Sequence, residues 1–589
     1  MTQQRTVRIG GGSAGLGDGI VGIPQLLRGG ELDYLMLDYL SEYFMPQAGR
    51  SRQRDPQAGY VPGFPEEIVA VAGLDLAGKK VKIVTNAGAV NPRGCAAAIG
   101  EAARRRDLDI KVAVVDGDDV IERAAEFRKS GRLKSKLPEG GRYTTINAYL
   151  GAFPIARALA LGADIVITGR VVDSALCLGP LVHEFGWRPE QYDLLSAGSL
   201  IGHILECGAQ ASGGIFTDWR EVGDYTDVGY PIAECRADGS AVITKAPGTG
   251  GLVSVGTVAE QLVYEIADPR SYHLPDVVCD FSHVRFEQLG PNRVLMAGAK
   301  GRPPGPNYKV NATWDDGWFA SWGYAVRGQD AADRAKAIAA AVLRRGARLL
   351  RERNLPALRR SRVEIIGDEE SWGAHARTKG SREIFCRITI EAGDDKTFGI
   401  LLRETGTGSV SMAPGIVGSL MMFNPVPMAR LESFLLPASE VPAHITIDDR
   451  TETQQRAASP PPVAAPQTPL PPSPDRATDT SVPLRRLAWA RSGDKADVCN
   501  IGRVARKPEY LPYIAAAMDE AAVARQYAFI LGDDGSVERH YLPGSHALTF
   551  LLNGALDGGC TVSLCIDPFG KSAAQDALDM SIPVPASLL

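Results

Sequence analysis

Three stretches of the sequence carry acidic and basic side chains close together. Arg170 and Asp173 stand in VITGRVVDSALC, Glu206 stands in GHILECGAQ, and Asp494 and Lys495 stand in ARSGDKADVCN. A carboxyl group beside a cation can move a proton to or from a substrate, and the cation can steady an anion. We therefore predict that Asp173, Glu206, Asp494 and Lys495 are catalytic residues of an enzyme.

Each stretch also has a purely structural interpretation. The arginine and aspartate of the first motif could form an ion pair beside a helix cap, and the charged run 490–502 could be a solvated hairpin loop. His203 lies three residues before Glu206, so the two could share a helix face. Cys207 could be a nucleophile, but the sequence offers no base for it, and a buried small side chain is the alternative.

A second set of polar residues follows strand-like runs or lies in the third charged stretch. These side chains can bind or orient an anionic or polar substrate: Ser13, Asp18, Asn86, Asn91, Arg93, Thr168, Arg170 and Asn500. Helix capping by the asparagines and a surface position for Arg93 are the alternatives. We expect Ser13 and Asp18 to face the loops 85–93 and 168–174.

The elements that must position these residues alternate between strand and helix in the first part of the chain. Continuous apolar runs end at an Asn/Gly/Pro loop after residue 85, at Asp116 and at Thr168, with helical stretches such as 92–107 between them. This pattern predicts an α/β body with a mainly parallel sheet. Ligands bind at the carboxyl ends of the strands in such sheets.

Composition changes divide the chain. We predict a body at 1–450, with a possible internal boundary near 190–225, a Pro-rich linker at 451–484 and a small domain at 485–589. The second half of the body reads as mixed α+β, with a helix at 330–354. The small domain is predicted to be a two-layer α+β fold with a helix at 509–526 and a late strand in CTVSLCI (560–566).

A glycine-rich run, IGGGSAGLGDGI at 9–20, matches the dinucleotide pattern G-x-G-x-x-G at Gly10, Gly12 and Gly15. Asp38 stands about 23 residues beyond, near the spacing of a ribose-binding acid. A dinucleotide turn should open a helix at once, however, whereas Pro24 predicts a helix start near residue 23. The run therefore favours an anion- or substrate-binding loop, or a plain tight turn, over a dinucleotide site.

Composition excludes several classes of function. The 589-residue chain has a net charge of −5, which argues against nucleic acid as its main partner. It has no apolar run long enough to span a membrane and no secretory signal, so we expect a cytoplasmic protein. The nine cysteines form no C-x-x-C pair and the eight histidines no H-E-x-x-H motif, so we predict reduced thiols and no metal site.

Six long motifs carry a resemblance to one family. DYLSE, TNAGAVNPRGC, GADIVITGRVVDSAL, LIGHILECGAQASGG, GTGGLVSVGTVAEQLVYEIADP and RSGDKADVCNIG resemble the acyclic terpene utilization protein AtuA family, also described as a domain of unknown function. The resemblance covers nearly the whole chain and implies a ferredoxin-like fold for the C-terminal domain. The sequence departs from it at Ala496, where Gly is expected, which leaves the charged residues intact and is expected to tighten the loop.

The resemblance implies a role in the breakdown of acyclic terpenes through branched acyl-CoA thioesters. With the polar strand-end loops, it predicts a lyase or hydratase that hydrates, dehydrates or cleaves a C–C bond in a branched or carboxylated acyl-CoA. No motif indicates NAD, FAD or ATP, so the cofactor is unknown and CoA is expected only as part of the substrate. The partners expected are this small molecule and further copies of the chain in a homo-oligomer.

Two other functions stay open. A non-catalytic subunit or acyl-CoA-binding scaffold could use the small domain as a docking domain on its Pro-rich tether. A dinucleotide-dependent oxidoreductase is the weaker alternative, since it depends on the glycine run alone.

Overall fold

The computed structural model describes residues 5–29, 31–78, 80–422, 424–461, 463–465, 467 and 470–589. The first part of the chain alternates strands with helices: β1 (Thr6–Ala14), α1 (Gly22–Gly29), β2 (Tyr34–Asp38), α2 (Phe44–Arg54), α3 (Phe64–Ala77), β3 (Lys82–Thr85), α4 (Pro92–Arg104), β4 (Val112–Asp116), α5 (Ala124–Lys129), β5 (Tyr143–Ala148), α6 (Phe153–Ala160), β6 (Ile165–Thr168), α7 (Ala175–Phe185) and α8 (Tyr192–Leu205).

The rest of the body is richer in strands. Its elements are β7 (Pro231–Arg236), β8 (Ala241–Lys245), α9 (Val255–Leu262), β9 (Tyr272–His273), β10 (Val278–Asp280), β11 (Arg285–Gly290), β12 (Arg293–Ala297), β13 (Lys300–Arg302), β14 (Asn307–Arg327), α10 (Ala331–Glu352), β15 (Leu358–Ile366), β16 (Glu383–Ala392), α11 (Lys396–Ser411), β17 (Ile416–Met422), β18 (Val426–Pro437), β19 (Ala443–Ile447) and β20 (Arg450–Gln454). The helix predicted at 330–354 is confirmed as α10.

Among the described residues, eleven strands form one large mixed sheet in the order β11-β12-β8-β7-β1-β2-β3-β6-β4-β19-β20. Only the central run β1-β2-β3-β6-β4 is parallel. The pairings on both sides are antiparallel, so the predicted mainly parallel sheet is not confirmed. Short connections account for two of these pairings, because the turns at Gly239 and Asn292, both at positive φ, join β7 to β8 and β11 to β12 as antiparallel neighbours.

The parallel centre of the sheet is buried on both faces. Alternate residues of β2 divide between two hydrophobic clusters: Tyr34 and Met36 belong to one, and Leu35 and Leu37 belong to the other. Burial on both faces is the physical reason why these strands are continuous apolar runs in the sequence. It also leaves the carboxyl ends of the strands as the place where polar side chains can gather.

A second sheet joins the two halves of the body. The long strand β14 pairs with β16, β17 and β18, and also with β5 from the first half. Helices α10 and α11 pack together beside it. The pairing of β5 with β14 means that a boundary near 190–225 does not separate the two sheets.

The C-terminal domain is a four-stranded antiparallel sheet, β22-β23-β25-β24, covered by short helices, with a separate β21-β26 pair. Its elements are β21 (Thr480–Pro483), β22 (Ala488–Lys495), β23 (Val498–Ala505), α12 (Leu511–Ala517), α13 (Glu520–Gln526), β24 (Ser536–Leu542), β25 (Ala547–Asn553), α14 (Ala573–Leu578) and β26 (Ser581–Val584). We call this domain the module.

Two predictions for the module need correction. The helix at 509–526 is interrupted, because Asp519 accepts a hydrogen bond from the Ala522 N–H and so caps a new helix, α13. The strand predicted at 560–566 is wrong: this segment is made of turns. Its carbonyl groups at Val562 and Leu564 accept hydrogen bonds from arginine side chains of the body instead of from a neighbouring strand.

The ends of the predicted linker are ordered into sheets. Within 451–484, the first residues belong to β20, which pairs with β19, and Thr480–Pro483 pairs with β26. In the described part of 455–479 there is no helix or strand. Across the described chain, no helix combines the length and apolar character needed to cross a membrane.

Candidate active site

The ends of the central parallel strands bring polar side chains together. Asp38 ends β2, and its carboxylate accepts a hydrogen bond of 2.7 Å from Nδ2 of Asn86, which follows β3. The Ser13 hydroxyl, near the end of β1, donates to the main-chain oxygen of Asp38 at 2.9 Å. Thr168 ends β6 and is fully buried. Ser13, Asn86 and Thr168 therefore lie at one edge of the sheet, as the sequence predicts.

Asp38 is a buried carboxyl group that is held toward its neutral form. Burial raises its pKa well above the usual range, and the charge of Asp173 adds to this effect, while the hydrogen bond from Asn86 opposes it. The charge of Glu206 also raises the pKa of Asp38. These interactions place Asp38, Asp173 and Glu206 around one space.

Arg170 holds Asp173 in this space. Its Nη1 lies 2.6 Å from Oδ1 of Asp173, and its guanidinium carbon lies 4.2 Å from the centre of the Tyr149 ring. The main-chain N–H of Arg170 donates to Asp118, a buried acid whose pKa is raised to about 7 by burial. Arg170 is buried and Asp173 is partly exposed, so the arginine positions a carboxylate that a substrate can reach.

His203 and Glu206 form a second pair at the end of α8. Nδ1 of His203 lies 2.9 Å from Oε1 of Glu206, and Nε2 lies 2.9 Å from the carbonyl oxygen of Gln261. Burial raises the pKa of Glu206 against the opposing effect of His203. Burial lowers the pKa of His203, but the charge of Glu206 and the hydrogen bonds to Glu206 and Gln261 together outweigh it, so the net shift is upward.

The module contributes two lysines beside one carboxylate of the body. Nζ of Lys495 and Nζ of Lys571 each lie 3.0 Å from an oxygen of Glu265. Burial raises the pKa of Glu265, but the positive charges of the two lysines together have the larger effect, so the pKa is lowered to about 2. Asp494 lies 3.6 Å from Lys571, and burial followed by the charge of Glu265 raises the pKa of Asp494 to about 6.

Lys495 links the module to the acids of the body. Burial disfavours its charge, but Glu265, Tyr272 and Asp173 raise its pKa well above the usual value. Its side chain is nevertheless 50% exposed, so solvent and a small molecule can reach it. We call the group formed by Asp38, Asp173, His203, Glu206, Glu265 and Lys495 the junction site.

The module is fixed on the body by buried polar contacts. Arg491 of β22 lies 3.0 Å from Glu260 of α9, and both side chains are almost fully excluded from solvent. Asn500 of β23 donates to the carbonyl oxygen of Ile266 at 2.8 Å, and its Oδ1 accepts from the N–H of Glu265 at 3.0 Å. The predicted binding residue Asn500 therefore holds the segment that carries Glu265 beside Lys495.

The remaining predicted binding residues make contacts away from the junction site. Asp18 accepts hydrogen bonds from the N–H groups of Ala14 and Gly19 and from the Tyr230 hydroxyl, which closes its own loop. Asn91 caps α4 through the N–H of Gly94. Arg93 pairs with Asp116 at 2.6 Å and lines a separate cavity of about 320 Å³.

The first part of the glycine run, which contains Gly10 and Gly12, lies inside β1, and its later glycines form the turn between β1 and α1. A Cβ atom on Gly11 would come within 2.5 Å of the carbonyl oxygen of Leu205, and one on Gly12 would come within 2.8 Å of Leu37. These glycines allow the end of α8 and the strands to approach closely. Helix α1 begins at Gly22, close to the start that Pro24 predicts.

Three residues in or beside the junction site were not singled out by their chemistry in the sequence. Asp38 is considered above only as a ribose-binding acid. Glu265 stands in a stretch that carries the family resemblance but has no role assigned to it, and Lys571 stands in a stretch without a recognisable motif. Glu265 has a φ of 56°, which is unusual for a residue other than glycine, but this becomes visible only in the structure. Lys571 reaches Glu265 across 306 positions of sequence.

The described residues contain no group of three or more His, Cys, Asp or Glu side chains that could hold a metal ion. Cys207 borders the junction site, and burial followed by the charge of Glu206 raises the pKa of its thiol well above the usual range. The protonated thiol is therefore favoured at Cys207. This leaves carboxyl groups, an imidazole and lysines as the groups that can move protons there.

Comparison with protein families accounts for both domains. The model of the acyclic terpene utilisation family protein AtuA matches residues 7–447, and that of the AtuA ferredoxin-like domain matches residues 482–583. The chain belongs to the AtuA family. This AtuA membership suggests involvement in acyclic terpene utilisation. No curated protein and no solved structure was found to match the chain.

The loop in which this AtuA chain departs from the expected pattern is a strained one. Ala496 connects β22 to β23 with a φ of 52°, in the left-handed region that favours glycine. It directly follows Lys495. The hairpin keeps its geometry despite the alanine, and the lysine still reaches Glu265.

Proposed function

We propose that this AtuA-family protein is a hydratase or lyase that acts on a branched or carboxylated acyl-CoA in acyclic terpene breakdown. The observation that carries the proposal is that Nζ of Lys495 in the module lies 3.0 Å from Glu265 of the body, where the charge of Asp173 also acts on it. The junction site thus combines proton-transferring groups with a cation in one group of side chains. That combination suits a reaction that creates negative charge on a substrate oxygen.

Asp173 and Glu206 divide the proton transfers between them. Asp173, paired with Arg170, is the carboxylate base, and Glu206, whose pKa is raised first by burial, is the acid. In dehydration, Asp173 takes the proton from the carbon beside the thioester carbonyl, the C–O bond of the β-hydroxyl breaks, and the Glu206 proton completes the departing water. Hydration is the reverse.

Cleavage of a C–C bond uses the same two groups. Asp173 takes the proton of a β-hydroxyl, a carbonyl forms as the C–C bond breaks, and the carbon left with the electron pair receives the proton of Glu206. Lys495 neutralises the enolate oxygen or a substrate carboxylate in both reactions. Asp494, close to Lys571, is the acid–base group that the module adds.

The direct test is mass spectrometry of the protein with a panel of branched and carboxylated acyl-CoAs in D₂O, with the free acids as a parallel set. Deuterium uptake beside the carbonyl reports proton transfer even where little product accumulates. Lys495→Met is expected to lower the rate about 100-fold, in the range typical of lost electrostatic stabilisation. Lys507→Met is the matched control, an exposed module lysine over the Tyr510 ring, and is expected to leave the rate unchanged.

The panel also separates the alternatives. Absence of binding, exchange and turnover with every acyl-CoA would overturn the proposal, and activity with the free acids alone would remove CoA from it. Binding without exchange would favour the acyl-CoA-binding scaffold, a possibility that the segment 455–479 between body and module keeps open. A thermal shift with NAD(P) or FAD would favour the oxidoreductase, and size-exclusion chromatography tests the homo-oligomer.

A further inference from the structure

The hydrogen bonds around His203 fix which of its ring nitrogens carries a proton. Its Nε2 lies 2.9 Å from the main-chain oxygen of Gln261, and a carbonyl oxygen can only accept. Nε2 therefore carries a hydrogen, and the neutral ring has a bare Nδ1. This Nδ1 lies 2.9 Å from Oε1 of Glu206, a distance that requires a proton on one of the two atoms.

Gln261 is itself held from both ends. Its side-chain Nε2 donates to the main-chain oxygen of His203 at 3.1 Å, and its Oε1 accepts from Nη1 of Arg491 at 3.2 Å. Gln261 is fully buried, so its carbonyl group cannot turn away from the imidazole without breaking these contacts. A continuous chain of hydrogen bonds thus runs from Arg491 of the docked module to Glu206.

Charged groups from the neighbouring elements face this pair. The groups that interact with the pair are Asp38 at the end of β2, Asp173 before α7, the thiol of Cys207, Tyr272 of β9 and Lys495 of β22. The Glu260–Arg491 pair between α9 and β22 is connected to it through Gln261. After burial and the opposing effect of His203, Asp173 raises the pKa of Glu206, whereas Lys495 lowers it. The negative charges of the body thus favour a proton on the His203–Glu206 pair, and the positive charge of Lys495 weakens this preference.

We propose that His203 and Glu206 hold one shared proton in the resting enzyme, that Glu206 delivers it to the substrate, and that His203 is the positioning residue that keeps Glu206 supplied. The use of the proton rests on the proposed function. When Glu206 gives the proton to a departing hydroxyl, water forms and a carboxylate faces a bare Nδ1. The lone pairs of the carboxylate and of Nδ1 then repel each other, which favours the return of a proton to the pair. The proton that Asp173 took from the α-carbon restores the resting protonation state.

The pH dependence of kcat/KM tests this positioning role. His203→Gln removes the imidazole nitrogen that shares the proton, so only the Glu206 carboxyl group can hold it, and the amide that replaces the ring donates to the carboxylate form. The alkaline fall in kcat/KM is expected to move to lower pH by about one unit or more. His444→Gln is the control, because His444 bonds Thr453 across the β19–β20 hairpin. A uniform loss of rate in His203→Gln, with the profile unmoved, would show a merely structural role and overturn the inference.

Infrared titration of the resting protein gives a readout that needs no substrate. The carbonyl band of a protonated carboxyl is assigned to Glu206 by its loss in Glu206→Gln. In His203→Gln this band is expected to disappear at a lower pH than in the unaltered chain, and an unchanged titration would refute the shared proton. If His203→Gln folds poorly, Gln261→Met serves as the second variant. It keeps the main-chain carbonyl group that binds His203 but loses the side-chain hydrogen bonds to His203 and Arg491, so we expect a smaller shift in the pH at which the band disappears.

The two measurements fail in different ways. If the infrared band behaves as expected but no acyl-CoA reacts, the shared proton is supported and the proposed function is refuted. If acyl-CoAs react but neither the band nor the pH profile moves in His203→Gln, the proposed function is supported and the shared proton is refuted.

Discussion

Glu260→Gln is expected to loosen the module from the body. Oε2 of Glu260 lies 3.0 Å from Nη2 and 3.2 Å from Nε of Arg491, and solvent reaches neither side chain. The arginine also donates to Gln210, Gln261 and the carbonyl oxygen of Gly214. The glutamine side chain has nearly the same volume as the glutamate and keeps one acceptor oxygen, but it carries no charge. The buried guanidinium group of Arg491 is then left without its counter-charge.

The size of the effect follows from that burial. Removing one partner of a buried ion pair costs about 3–5 kcal/mol. Because Glu260→Gln retains one acceptor and Arg491 keeps its three other contacts, we expect the loss of stability to lie at the lower end of this range, about 3 kcal/mol. Because 1.4 kcal/mol corresponds to a factor of ten, opening of the docked module should become roughly 100-fold more frequent.

Hydrogen exchange followed by mass spectrometry measures this opening directly. Peptides from β22 and β23 should exchange about 100-fold faster in Glu260→Gln, while those from α10, on another part of the body, should be unchanged. Asp218→Asn is the matched control, since its pair with Arg506 spans the same interface but is about one-fifth exposed. It should cost about 1 kcal/mol or less. A change below tenfold in Glu260→Gln, or an equal change in the control, would refute the reasoning.

Two further predictions concern stability. Arg503 is buried over the Phe550 ring beside Tyr527, and among the described residues no carboxylate forms an ion pair with it. Arg503→Met should therefore raise the free energy of unfolding in urea by about 1–4 kcal/mol, and a loss would contradict this. Burial raises the pKa of Asp118 to about 7, above about 4 in the unfolded chain, so stability should fall as the pH rises through that window. Asp118→Asn should flatten this dependence in urea unfolding at several pH values, and an unchanged slope would count against it.

Local sequence patterns were sufficient for the body side of the site. Apolar runs that end abruptly placed Ser13, Asn86 and Thr168 at the same edge of the sheet, because the strands β1, β3 and β6 belong to one run of parallel strands. The pair of Arg170 and Asp173 was recognisable because its members lie within one turn of each other. These features depend on short sequence separations, which patterns of residue type record well.

The same patterns could not tell a capping residue from a binding residue. Asn91 and Arg93 follow a strand as Asn86 does, yet Asn91 caps α4 and Arg93 pairs with Asp116. The difference is one of direction: Asn86 points toward Asp38, whereas Asn91 turns back on its own helix. Direction depends on the path of the backbone after the strand, and residue type alone does not fix that path.

The sequence by itself determined the buried parallel strands, the polar residues at their ends and the separate C-terminal domain, because each follows from local hydrophobicity and composition. Only the tertiary structure decided that Lys495 and Lys571 meet Glu265, and that Arg491 reaches His203 through Gln261. The contacts between module and body join segments more than 200 residues apart, and they exist because the module docks through buried charges whose partners no local pattern identifies.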